Sequence, residues 1–219
     1  MRGSARRVVR HLWLAALFAI GTSGLFFLSH GAPPAERLSR ATAFAGLAFL
    51  GATLMVGPLN ERLGRPSPVS TNLRRDIGIW AAIGGVIHTV AGLQVHMKGD
   101  IVRYFIPDPA TGLHISKGII AFLSANYTGL GATLLLLVLL AISNDIALRT
   151  LGVTRWKRIQ RLNYVLFALV VVHGALYLVV DKSRWMIVVP FIAIVAIVVE
   201  VQLSGRAARR TSGSAGRNL

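Results

Sequence analysis

Six long apolar runs, separated by polar or basic segments, organise this chain. They fall at roughly 11–29, 41–57, 77–95, 127–142, 163–180 and 185–199, and the fourth could begin as early as Ile119. At 1.5 Å of rise per residue, a run of about 17–20 residues spans the ~30 Å hydrocarbon core of a bilayer. The pattern predicts an all-α integral membrane protein, a six-helix transmembrane bundle. The second run, which contains Thr42 and Thr53, is the least apolar.

Composition supports the same class. Hydrophobic residues make up 54% of the chain and charged residues 15%, against about 25% in soluble domains. With no cysteine, disulfides, thiolate-held iron–sulfur clusters and thiolate-ligated haem are excluded. The net charge of +16 does not by itself make a nucleic-acid face, and no nucleic-acid partner is expected. The basic residues instead read as orientation signals. Seventeen of the 24 fall before the first run, in the second and fourth connections and after the last run; the other seven are Arg37, Arg40, Lys98, Arg103, Lys117, Lys182 and Arg184. By the positive-inside rule both N- and C-termini are cytoplasmic, which needs an even number of spans.

Residues 1–30 resemble a signal peptide in their basic start, but the apolar run is long and no clear cleavage motif follows, so the first span is expected to be retained. The chain divides into a transmembrane domain, residues 1–204, and a basic cytoplasmic tail, residues 205–219, whose Ser, Gly and Arg content predicts disorder. The longest connection, His96–Asn126, faces outward. Pro107, Pro109 and Gly112 interrupt it, and Ile115–Leu123 reads as a short interfacial helix or the start of the fourth span.

Ionisable groups inside hydrocarbon are costly and mark function by default. His88 lies 13 residues beyond Arg75 on the third run, and His173 lies 12 beyond Arg161 on the fifth. Both are therefore about 18–20 Å from the cytoplasmic arginines, at one depth on parallel helices. Two imidazoles at one height can ligate a b-type haem iron from opposite faces. Gly84, Gly85, Ala91 and Gly92 share the helix face of His88 and would leave a flat surface for a macrocycle. Small residues serve close helix packing equally well, and a histidine hydrogen-bonded between helices is the plain alternative to a ligand.

Other polar residues have ordinary readings. His96 and His114 read as loop or interfacial residues, and His11 and His30 as solvated ends of the first span. Asp76 reads as the N-terminal cap of the third helix, and Trp80, Trp156 and Trp185 as interface anchors, with contact to a cofactor as the other reading of Trp80. Tyr177 reads as an interfacial aromatic or as a residue facing a cofactor, and Glu200 as snorkelling near the inner end of the sixth span. Arg103, Lys117, Lys182 and Arg184 are candidates to pair with haem propionates. No nucleotide-binding glycine motif, HExxH or carboxylate pair occurs, so if the protein carries electrons their donor must be a separate flavoprotein, a flavin or a quinone.

Two segments carry a resemblance. The first is PLNERLGRP at 58–66 with LRRDIGIW at 73–80, followed by His88. The second is SNDIALRTLG at 143–152 with WKRIQRLNY at 156–164, followed by His173. Over roughly residues 40–180 the chain resembles the ferric-reductase-like transmembrane family, and within it the haem-binding membrane subunit of the bacterial methionine sulfoxide reductase system. The resemblance implies a bacterial inner-membrane bundle with haem b between the third and fifth helices. It implies an electron-transfer subunit of an oxidoreductase, passing electrons from a cytoplasmic or quinone donor toward an outer-side reductase or small-molecule acceptor. His88 and His173 match the family's ligand positions.

The sequence departs from that branch at Gln160, where a histidine is usual, and Arg74 and Arg75 stand at the matching depth on the third helix. One haem is therefore expected, displaced outward, with FMN or a quinone as carrier for the inner half. The long outer loop is a second departure, at the face the branch's periplasmic reductase uses. Two rival readings predict a colourless protein: a membrane scaffold that has lost haem, and a transporter using the two histidines for protons.

Overall fold

In the computed structural model, residues 2–63, 67–97, 100–105, 117–180 and 185–215 are described. They form α1 (Arg2–Leu28), α2 (Pro34–Arg62), α3 (Ser67–Met97), the short α4 (Ile101–Phe105), α5 (Lys117–Ala141), α6 (Asp145–Gln160), α7 (Asn163–Val180) and α8 (Trp185–Ala215). Six helices are long and apolar enough to cross a membrane, as the hydropathy pattern predicts. α5 takes the earlier of its two expected starts. α8 continues through the boundary drawn at residue 205, where Ala207, Ala208 and the arginines are good helix formers.

The outer surface carries many large apolar side chains, among them Leu12, Ile20, Leu28 and Ile192, in keeping with lipid as solvent. Inside, Leu50, Ala81, Ala132, Leu139 and Leu166 form the core. α2 packs most extensively on α3, and α5 on α7. Small residues bring these helices close: a Cβ at Gly84 would lie 3.1 Å from the Gly46 Cα, the close backbone approach that membrane helices favour.

α6 lies between two spans. Asn144 Oδ1 accepts the Ala147 N–H at 2.7 Å and caps it. Trp156 is buried, and its indole N–H donates to the Ile142 carbonyl at 2.9 Å. It therefore satisfies a carbonyl at the end of α5 instead of anchoring at the interface. Only Trp185 of the three expected anchors is exposed.

Asp76 is likewise no helix cap. It lies inside α3 with its side chain fully buried, and pairs with Arg7, with Arg10 and, at 3.3 Å, with His11. His11 in turn accepts the Trp80 indole N–H at 3.3 Å, and Trp80 packs against Phe18 of α1. So Asp76, Trp80 and His11 clamp α1 onto α3. His11, read as solvated, stays about a third exposed and in addition takes partners from a helix far away in sequence. Replacing Asp76 by alanine removes the carboxylate that Arg10 and Arg7 share, and leaves Arg7 only its longer 3.8 Å pairing with Asp145. The two arginines are about a third exposed, so the cost is set at about 1–3 kcal/mol, below the 3–5 of a fully buried pair. Thermal unfolding of the detergent-solubilised protein measures it.

Candidate functional site

Between the α2–α3 and α5–α7 pairs lies a cavity of 880 Å³. His88 from α3 and His173 from α7 both line it, their ring centroids 6.0 Å apart. The equal depth expected from the helical rise is matched by this close approach, with the two ring planes at 75°. A metal–imidazole bond is about 2.0 Å, and the ring centre lies roughly 1.1 Å behind its nitrogen, so two imidazoles on opposite sides of one ion have centroids about 6 Å apart. The observed spacing fits that requirement.

The hydrogen bonds of both rings fit it too. His88 Nδ1 lies 3.0 Å from the Ser39 carbonyl oxygen and 3.1 Å from the Ser39 hydroxyl. His173 Nδ1 lies 2.7 Å from the Ala125 carbonyl oxygen. A carbonyl only accepts, so Nδ1 carries the proton in each ring, and Nε2 is the nitrogen that would meet a metal. Metal-ligating histidines are held in this way, by a backbone carbonyl on the far nitrogen. Among the described residues no group of three or more His, Asp or Glu could hold a bare metal ion. Two opposed imidazoles suit an iron whose remaining ligands come from a macrocycle.

The glycines divide. Gly85 and Gly92 line the cavity. Gly84 instead packs against Gly46 of α2 and Phe18 of α1. A glycine that sequence reasoning passed over is closer to His173: a Cβ at Gly129 would lie 2.6 Å from its Cε1 and 2.7 Å from its Nδ1. Gly129 on α5 therefore makes the space in which the His173 ring stands. Tyr177 lines the cavity and packs on His173 with ring centroids 5.0 Å apart. His114 and the side chains of His96, Arg103, Lys117, Lys182 and Arg184 lie outside the described residues.

The opposite end of the cavity is basic. Arg74, Arg75, Lys157 and Arg161 line it together with Gln160 and Gln202. Arg74 Nε donates to the Thr53 carbonyl at 3.2 Å, and Arg75 Nη1 to Asp145 at 2.5 Å. Arg75 Nε is buried and has no hydrogen-bond partner among the described residues. Gln160 sits in an amide network with Asn163 and Ser143. Among the described residues no histidine lines this end.

No family profile matches the chain. Individual relatives do. The chain is 32% identical to the protein-methionine-sulfoxide reductase heme-binding subunit MsrQ of Herminiimonas arsenicoxydans, over 74% of this chain and 69% of that protein. It is 33% identical to the same-named protein of Azospira oryzae, over 68% of this chain and 58% of that one. With its counterpart in Ralstonia nicotianae it shares 29% identity, over 78% and 73% respectively.

Proposed function

The chain belongs to the family of protein-methionine-sulfoxide reductase haem-binding subunits and is a multi-pass protein of the bacterial inner membrane, and from that premise we propose that it is a transmembrane electron-transfer protein carrying one haem b between His88 and His173. The single observation that carries this reading is the approach of the two imidazoles to 6.0 Å in one cavity, each held by a backbone carbonyl at Nδ1. When bound, the haem supplies one-electron chemistry at its iron. The residues of the chain do the rest. His88 and His173 hold the iron, and Ser39 and Ala125 fix their tautomers. Gly85 and Gly92 keep the cavity wall open beside the ring. The apolar walls exclude water from the site.

The basic end faces the cytoplasm in this reading, in keeping with the excess of arginine and lysine there. It receives the electron donor, a flavoprotein, FMN or a quinone; the outer end serves a reductase partner or a small-molecule acceptor. The buried Arg75 Nε and the cations beside it suit an anionic carrier such as FMN. Arg75→Gln is expected to weaken FMN binding about tenfold, the loss of one charge-assisted hydrogen bond, as read from flavin fluorescence in a titration of the purified protein.

The function is tested in sealed vesicles holding the haem-loaded protein, with a membrane-impermeant reductant outside and ferricyanide trapped inside. Reduction of the trapped ferricyanide well above that in protein-free vesicles, lost when His173 is replaced, is the expected result. Rates equal to protein-free vesicles would overturn the electron-transfer reading.

A further inference from the structure

The outer segment contains a fully buried polar residue that the ligand geometry above does not use. Asn126 is 0% exposed on α5, one position after the Ala125 carbonyl that holds His173. Its side-chain Nδ2 donates to the Tyr104 carbonyl at 3.0 Å, while its own carbonyl accepts the Tyr104 hydroxyl at 2.7 Å. Its Oδ1 accepts the Tyr177 hydroxyl at 2.7 Å. Both tyrosines reach the second histidine: the Tyr177 ring packs on His173, and the Tyr104 hydroxyl lies beside the Gly129 position where the His173 ring stands. α4, on the outer connection, is thereby tied to α5 and α7 at the residue pair that positions His173.

We propose that Asn126 is a positioning residue that couples the outer segment α4 to the His173 ligand, so that the seating of α4 sets how firmly His173 holds the iron. A buried asparagine with donor and acceptor both committed fixes the rotation of α5 against its neighbours, because any shift leaves a polar group without a partner in an apolar setting. The Ala125 carbonyl is one peptide away and moves with it. That carbonyl sets the orientation and basicity of the imidazole. Displacing α4 from outside, as a docked partner would, loosens the Tyr104 contacts and through Asn126 relaxes the hold on His173. The outer segment is on this account a control point for the ligand and not only a connection.

This inference rests on the haem reading above, and the test separates the two. Carbon monoxide binds a reduced bis-histidine haem only when one histidine leaves, so its association rate reports how readily a ligand is released, and a rise in variants that touch only the His173 side assigns the change to His173. In the full-length haem-loaded protein, Asn126→Ala is expected to raise that rate about 10- to 100-fold, the usual scale for losing a partner behind a metal ligand. Tyr104→Phe, which removes a single hydroxyl, is expected to shift it in the same direction and by less. Asp76→Ala destabilises the bundle far from the site and is expected to leave the rate unchanged, which separates ligand positioning from general loosening. Unchanged rates in both Asn126→Ala and Tyr104→Phe, with haem retained, would overturn the inference alone. A wild-type protein that binds no haem would overturn it by removing its premise.

Discussion

Alanine at His173 is expected to cut haem content by more than about tenfold while leaving a folded, monodisperse membrane protein, and alanine at His88 is expected to do the same. The size of the effect follows from the site. Removing a partner that merely supports a metal ligand costs about 10- to 100-fold in affinity, and these substitutions remove the ligand itself. The described residues offer no third histidine in the cavity to replace it. The fold should survive because the core, at Leu50, Ala81, Ala132, Leu139 and Leu166, contains neither histidine. Haem per chain, from the pyridine haemochrome spectrum against protein concentration, reads the effect. Full loading in both variants would remove the assignment of both ligands.

The second large effect comes from one methyl group. Gly129→Ala would set a Cβ 2.6 Å from the His173 ring, well inside contact distance for carbon. The helix backbone of α5 cannot retreat easily, since α5 packs along α7. The ring must therefore turn away, and in turning it gives up the 2.7 Å bond from Nδ1 to the Ala125 carbonyl. Haem loading is expected to fall toward the level of His173→Ala, although every ligand is still present. Gly131→Ala is the matched control: a Cβ there meets only Leu169 at 4.0 Å, and loading should be unchanged. Equal loading in both alanine variants would mean that Gly129 does not make space for the ligand.

The spans were legible because each carries its own evidence, a run of apolar residues of sufficient length. The pairing of His88 with His173 was legible for a related reason: helical rise is fixed, so counting from the arginines gives depth without knowledge of packing. What the sequence hid is whatever depends on partners remote in the chain. Asp76 stands 66 residues from Arg10, and nothing local separates a helix cap from the buried centre of a clamp on α1. Gly129 is one glycine among 22; only the placement of α7 against α5 reveals that a side chain there would strike His173. Ser39 and Ala125 act at the histidines partly or wholly through backbone carbonyls, which no residue type announces. Asn126 did leave a signal, an amide at the margin of an apolar run, where its cost in lipid demands partners. It was passed over because it coincided with the end of the outer loop.

The central claim, one haem held by two opposed histidines, is tested most directly by a reduced-minus-oxidised absorption spectrum of the purified protein from haem-replete cells, with haem quantified per chain. A b-type spectrum at about one haem per chain is the predicted result. Two haems per chain would contradict the single site and place a ligand other than histidine near Gln160, and a protein without haem would contradict the account altogether.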